Sequence, residues 1–158
     1  MFTLKDIFNI AVQIENNGER VYRHISGNIS NPKLIEILTW LADEEAAHAQ
    51  WFNDLMGQAE KRIDDPGLEQ MGKEILLDII GDQSFSLEDI DPADLQDHET
   101  LLRLSVEFEK DTILFYEMLR PFVEDKETEK HLKEIIEEEN RHVTALQEFL
   151  AAAARPPA

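Results

Sequence analysis

The sequence predicts an all-α fold, a four-helix bundle of two antiparallel helix hairpins joined by a long crossover connection. Three observations predict it. Apolar residues recur at helical spacing through four long stretches. Turn-forming residues closely separate the first stretch from the second and the third from the fourth, whereas residues 66–97 lie between the two pairs. Finally, the chain superposes on itself at an offset of 94 residues, which sets Glu15 on Glu109, Tyr22 on Tyr116, Glu45 on Glu139 and His48 on His142. In the same register "AVQIE" at 11–15 falls on "SVEFE" at 105–109. A repeat of this kind points to two copies of one supersecondary unit.

The first helix is expected from Leu4 to about Ser26, through Ile7, Phe8, Ala11, Val12, Ile14, Gly18, Val21, Tyr22 and Ile25. It should end near Gly27, where "GNISNP" supplies turn chemistry and Pro32 suits the first turn of a second helix. That helix runs through Leu34, Ile35, Leu38, Leu41 and Ala42 to about Arg62, and "DDPG" breaks it. Within the crossover, "LEQMGKEILLDIIGD" could form a short amphipathic helix, and "SLEDIDPADL" offers a capping serine with Asp89 three residues on. A third helix from about Asp97 carries Leu101, Leu102, Leu104, Ser105, Phe108, Thr112, Phe115, Tyr116 and Leu119, with Pro121 marking its end. The fourth spans about Lys126 to Ala153, and residues 154–158 read as a frayed tail. Together residues 1–158 read as one domain.

The repeat and the hairpins constrain each other. In an antiparallel hairpin, residues equidistant from the turn lie at one level. The midpoint of Glu15 and Glu45 is Ser30, inside the first turn, and that of Glu109 and Glu139 is Glu124, just after Pro121. Each glutamate pair is therefore level, roughly 22 Å from its turn at 1.5 Å per residue.

Composition restricts the chemistry. Lys and Arg number 15 against 34 Asp and Glu, a net charge of −19 that argues against nucleic acid and anionic membrane as partners and suits cations. Most of these carboxylates are expected simply to solvate the surface. There is no cysteine, so disulfides, thiol catalysis, iron–sulfur clusters and cysteine-ligated zinc are excluded, and any metal must be held by oxygen and nitrogen. The N-terminus lacks a signal-peptide pattern and no apolar run is long enough to span a bilayer, so a soluble, cytoplasmic protein is expected.

Glutamate is so frequent, 21 of 158 residues, that a Glu three positions before a His is weak evidence alone. The common register gives it weight. On a helix, i and i+3 share a face, so Glu45 with His48, and Glu139 with His142, each present a carboxylate and an imidazole to the bundle interior. With Glu15 and Glu109 the interior gains four carboxylates and two imidazoles. Burying four anions uncompensated would cost many kcal/mol, and two divalent cations would cancel their charge. Carboxylate with imidazole suits iron, manganese or zinc better than calcium.

At these residues the chain resembles the rubrerythrin branch of the ferritin-like superfamily, through "IENNGERVY", "DEEAAHAQWF", "FEKDTILFY" and "EEENRHVTAL" in that order, over nearly everything from Leu4 to Leu150. The resemblance implies a ferritin-like di-iron bundle, with Glu15 and Glu109 as terminal ligands, Glu45 and Glu139 bridging two Fe ions, and His48 and His142 on one metal each. Zinc or manganese could occupy such a site in purified protein. There are two departures. Rubrerythrins proper append a cysteine-ligated rubredoxin domain that delivers electrons; this sequence stops where that domain would begin, leaving the electron donor unidentified. They also carry a further ligand Glu three residues after the third-helix ligand, where this chain has Thr112; Glu19, one turn after Glu15, could substitute.

For the remaining candidates a bland reading stands beside the functional one. Tyr22 and Tyr116 could donate hydrogen bonds to the ligands or be core aromatics. Trp40, Trp51 and Phe52 read as core or interface residues, and His24, His98 and His131 as surface ones. Glu44 and Glu138 obey the repeat too, but the spacing to histidine selects Glu45 and Glu139. The leading expectation is a di-iron oxidoreductase of the peroxidase or ferroxidase kind that reduces hydrogen peroxide or dioxygen. An alternative is an iron-handling protein that oxidises or holds Fe(II) for storage or delivery, and a third is a metal-free acidic helical interaction module. The long connection and the resemblance together suggest a homodimer with exchanged hairpins.

Overall fold

The computed structural model describes residues 4–56, 66–67, 70 and 98–153, and most of the crossover at 66–97 lies outside them, as does the tail at 154–158. Among the described residues four α-helices can be given bounds, in chain order α1 (Leu4–Gly27), α2 (Pro32–Met56), α3 (His98–Leu119) and α4 (Lys126–Ala153), with a 3-10 turn at Arg120–Phe122. No strand occurs among the described residues. The expected continuation of α2 to Arg62 lies outside them. The chain divides into two compact units, Met1–Ile90 with α1 and α2, and Asp91–Ala158 with α3 and α4.

In the first unit, α1 stops where Asn28 caps it: its backbone N–H donates to the Ile25 carbonyl at 3.0 Å and its side-chain Nδ2 to the His24 carbonyl at 2.7 Å. α2 starts where Asn31 accepts, on Oδ1, the backbone N–H groups of Lys33 (3.1 Å) and Leu34 (3.2 Å), with Pro32 at the first helical position. Such a cap contributes about 1 kcal/mol. The short connection folds α2 back along α1. Ile7, Ile14, Tyr22, Leu34, Leu38, Leu41 and Phe52 are all buried, and Phe52 meets Phe8 and Trp51 with ring centroids 6.2 and 5.0 Å away.

The second unit repeats the plan. Pro121 cannot continue α3, which ends at Leu119 in the 3-10 turn. Asp125 then caps α4, its Oδ2 accepting from Thr128 N at 3.0 Å and Thr128 Oγ1 at 2.7 Å. The bounds of α4 are those read from the sequence, and the start expected for α3, about Asp97, lies outside the described residues.

Burial follows the 94-residue offset closely. Phe8 and Leu102, Ala11 and Ser105, Glu15 and Glu109, Tyr22 and Tyr116, Leu38 and Leu132, Glu45 and Glu139, His48 and His142, and Phe52 and Leu146 are buried pair by pair. An apolar side chain buried this fully contributes about 1.5–3 kcal/mol. The glutamates and histidines occupy the middle of that apolar pattern, not its rim.

Candidate metal centre

In the first unit Glu15 comes from α1 and Glu45 and His48 from α2. Their mutual approach is a direct result of helix register: Glu45 and His48 are one turn apart on one face, and the hairpin brings Glu15 level with them. One donor atom from each of the three lies within 4.8 Å of the others. His48 Nδ1 is 3.5 Å from Glu15 Oε1. Both carboxylates have no solvent exposure and His48 has 3%.

The second unit holds the corresponding triad. Glu109 on α3 and Glu139 and His142 on α4 are all fully buried, again with donors within 4.8 Å. His142 Nδ1 stands 3.2 Å from Glu139 Oε2 and 3.6 Å from Glu109 Oε1. In both units, then, Nδ1 is the ring nitrogen that meets the carboxylates.

The electrostatics of this second triad show what it lacks. Burial, and after it the repulsion of Glu139, pushes the Glu109 carboxyl up to about 8 from an ordinary 4.5. For His142, desolvation acts downward, but hydrogen bonding and attraction from Glu109 and Glu139 outweigh it and raise the imidazole to about 10. Buried carboxylates that repel one another make a cluster short of positive charge, and a proton on the imidazole partly supplies it. A divalent cation would supply more.

The donor set fits such an ion. Oxygen and imidazole nitrogen bind transition metals at about 2.0–2.2 Å, so donors adjacent on one ion stand about 3–3.5 Å apart. The nitrogen–oxygen separations of 3.2–3.6 Å in the two triads match this spacing.

The other candidates fare differently. Tyr22 and Tyr116 are fully buried, Tyr116 with its ring 5.9 Å from that of Phe115. Glu19 retains 28% side-chain exposure and is engaged by Arg23, whose Nε donates to Oε2 at 2.7 Å while Nη2 reaches Asp43 Oδ1 at 3.0 Å. The sequence reading missed this ion pair, although the i, i+4 spacing of Glu19 and Arg23 was its signal. Thr112 is buried and its Oγ1 donates to the Phe108 carbonyl at 2.9 Å, so no carboxylate stands at that position. His131 is exposed and His24 half-buried; the side chain of His98 lies outside the description. Phe52 is buried and Trp51 half-buried with its ring centroid 5.0 Å from that of Phe52, whereas Trp40 is 39% exposed, with Nε1 donating to Glu44 Oε1 at 3.1 Å. No described helix is long and apolar enough to cross a membrane.

Comparison with known proteins agrees with this geometry. The pattern that defines the rubrerythrin family matches residues 6–150. Among solved structures, the chain is similar to a protein from Thermotoga maritima, provisionally described as a ferritin-like diiron-carboxylate protein, at 23% identity and a TM-score of 0.67 over 97% of each chain. That likeness shows the fold, an all-α four-helix bundle of the ferritin-like kind. No curated protein matches.

Proposed function

Since the chain belongs to the rubrerythrin family, we propose that its two triads together hold two iron ions and that the protein is a non-haem di-iron oxidoreductase reducing hydrogen peroxide or dioxygen. The observation that carries this reading is the pair of buried Glu, Glu, His sets repeated in register. A structural role alone gives no reason to bury four carboxylates, whereas two divalent cations neutralise them. This argues against a metal-free interaction module.

When bound, a ferrous pair supplies the two electrons that reduction of a peroxide bond requires. The chain's own residues do the rest. Glu45 and Glu139, one turn before the histidines, and Glu15 and Glu109, level with them in their hairpins, would hold the ions through carboxylate oxygen. His48 and His142 would bind through Nδ1, the ring nitrogen that faces the carboxylates. Tyr22 and Tyr116, two turns beyond Glu15 and Glu109, exclude water and carry hydroxyls suited to orienting a carboxylate oxygen.

One observation favours a second reading. Thr112 spends its hydroxyl on its own helix where related proteins place another carboxylate ligand, which suits an iron-binding or ferroxidase protein without sustained turnover. Anaerobic loading with Fe(II) followed by peroxide or dioxygen separates the two. Continued peroxide consumption under a chemical reductant supports the oxidoreductase, and oxidation that stops after one equivalent of the bound iron supports iron handling. Failure to bind Fe(II) at all refutes both.

A further inference from the structure

One more residue on α2 is able to hold a metal. Glu44 is half-buried and offers a carboxylate oxygen within 4.8 Å of a ring nitrogen of His48. His48 is thus shared, since it also stands within that distance of the fully buried Glu15 and Glu45. Trp40, one turn before Glu44, is 39% exposed, yet its indole N–H is committed to Glu44 Oε1 at 3.1 Å. An exposed tryptophan held to one oxygen of a carboxylate leaves the second oxygen available and restricts its direction.

A cation passing from water to fully buried donors must exchange its hydration shell for protein ligands, and stripping it in one step is costly. Stepwise replacement needs a half-buried anion beside the first buried ligand. We propose that Glu44 is that anion: it receives the divalent cation from solvent and hands it to His48, and so to Glu15 and Glu45, while Trp40 positions its carboxylate. The inference rests on the metal-binding reading given above.

The test uses metal-free full-length protein mixed with Co(II), whose visible absorption reports entry into the nitrogen and oxygen site. In Glu44→Gln the absorbance should develop more slowly, by about tenfold or more, because a local focusing charge and a ligand are lost together. Its final intensity should equal the parent's. Trp40→Phe retains the carboxylate and should show a smaller slowing, Glu44→Asp should recover part of the rate, and Glu36→Gln, an exposed acid on the same helix, should load at the parent rate. Equal loading rates for Glu44→Gln and parent overturn the entry role while leaving the metal site intact. Slowing of Glu36→Gln to the same extent overturns it too, in favour of a general effect of net charge. Absence of a Co(II) band in the parent defeats the metal reading itself.

Discussion

Metal-free protein should lose stability as pH rises through neutrality, and Glu139→Gln should flatten that dependence. In the folded metal-free state Glu109 titrates at about 8 against 4.5 in an exposed chain, and His142 at about 10 against 6.5. Both folded values lie above the unfolded ones, so the native state holds the extra protons. Their stabilisation is complete below the unfolded values and is lost as pH climbs, for Glu109 across 4.5 to about 8 and for His142 across 6.5 to about 10. One proton of difference gives a slope of about 1.4 kcal/mol per pH unit, and the two groups, being in contact, titrate as a pair. Bound metal reverses the sign, because it requires the deprotonated ligands and binds more tightly as they lose protons. Glu139→Gln removes one repelling neighbour of Glu109 and one partner of His142, drawing both values back toward normal. The assay is urea unfolding followed by circular dichroism from about pH 5.5 to 8.5, with chelator and with Fe(II) under anaerobic conditions. Stability of the metal-free parent that stays flat or rises with pH would refute the reasoning, as would a slope unaltered in Glu139→Gln.

Other outcomes follow from the same geometry. The double variant Glu45→Gln with Glu139→Gln should lose metal binding and any oxidase or peroxidase activity, yet melt, when metal-free, no lower than the parent; a marked loss of stability would make these glutamates structural. Asp125→Ala, which removes the α4 cap, should lower the urea midpoint and leave the metal stoichiometry unchanged. Thr112→Glu adds a carboxylate to a buried position, so the metal-free variant should be destabilised by several kcal/mol, with much of the loss recovered on adding Fe(II). Light scattering at micromolar concentration should give twice the 18.2 kDa chain mass for the proposed homodimer, and a monomer mass would refute it.

Much of each hairpin was legible because its signals were local and redundant. Pro32 and Pro121 punctuate the helices through backbone constraints that act whatever surrounds them, and the repeat picked out the two Glu, Glu, His sets where ExxH spacing alone was weak. Side chains off the main apolar stripe were harder. Trp40 falls between Leu38 and Leu41 in sequence but on another face, and its exposure became intelligible only with the Glu44 hydrogen bond. Leu114 and Met118, 61% and 42% exposed, likewise show that an apolar residue on a helix need not face the core. Glu19, one turn after Glu15, has the position of a reserve ligand, but Arg23 engages it at i, i+4 and also reaches Asp43 on α2, a contact between helices that periodicity does not reveal.

The capped connection between α1 and α2 has a use in protein engineering. Ser30 and Asn31 are exposed and about fifteen residues from Glu15, which at 1.5 Å per residue leaves roughly 22 Å of helix between them and the ligands. A reporter dye, a surface tether or a short peptide graft joined at Ser30 would leave the Asn31 cap in place and stay clear of Glu15, Glu45 and His48 in the same hairpin. Such attachments should tolerate wide changes in size and charge, making the turn a practical handle for immobilising the protein on an electrode or following its unfolding one molecule at a time.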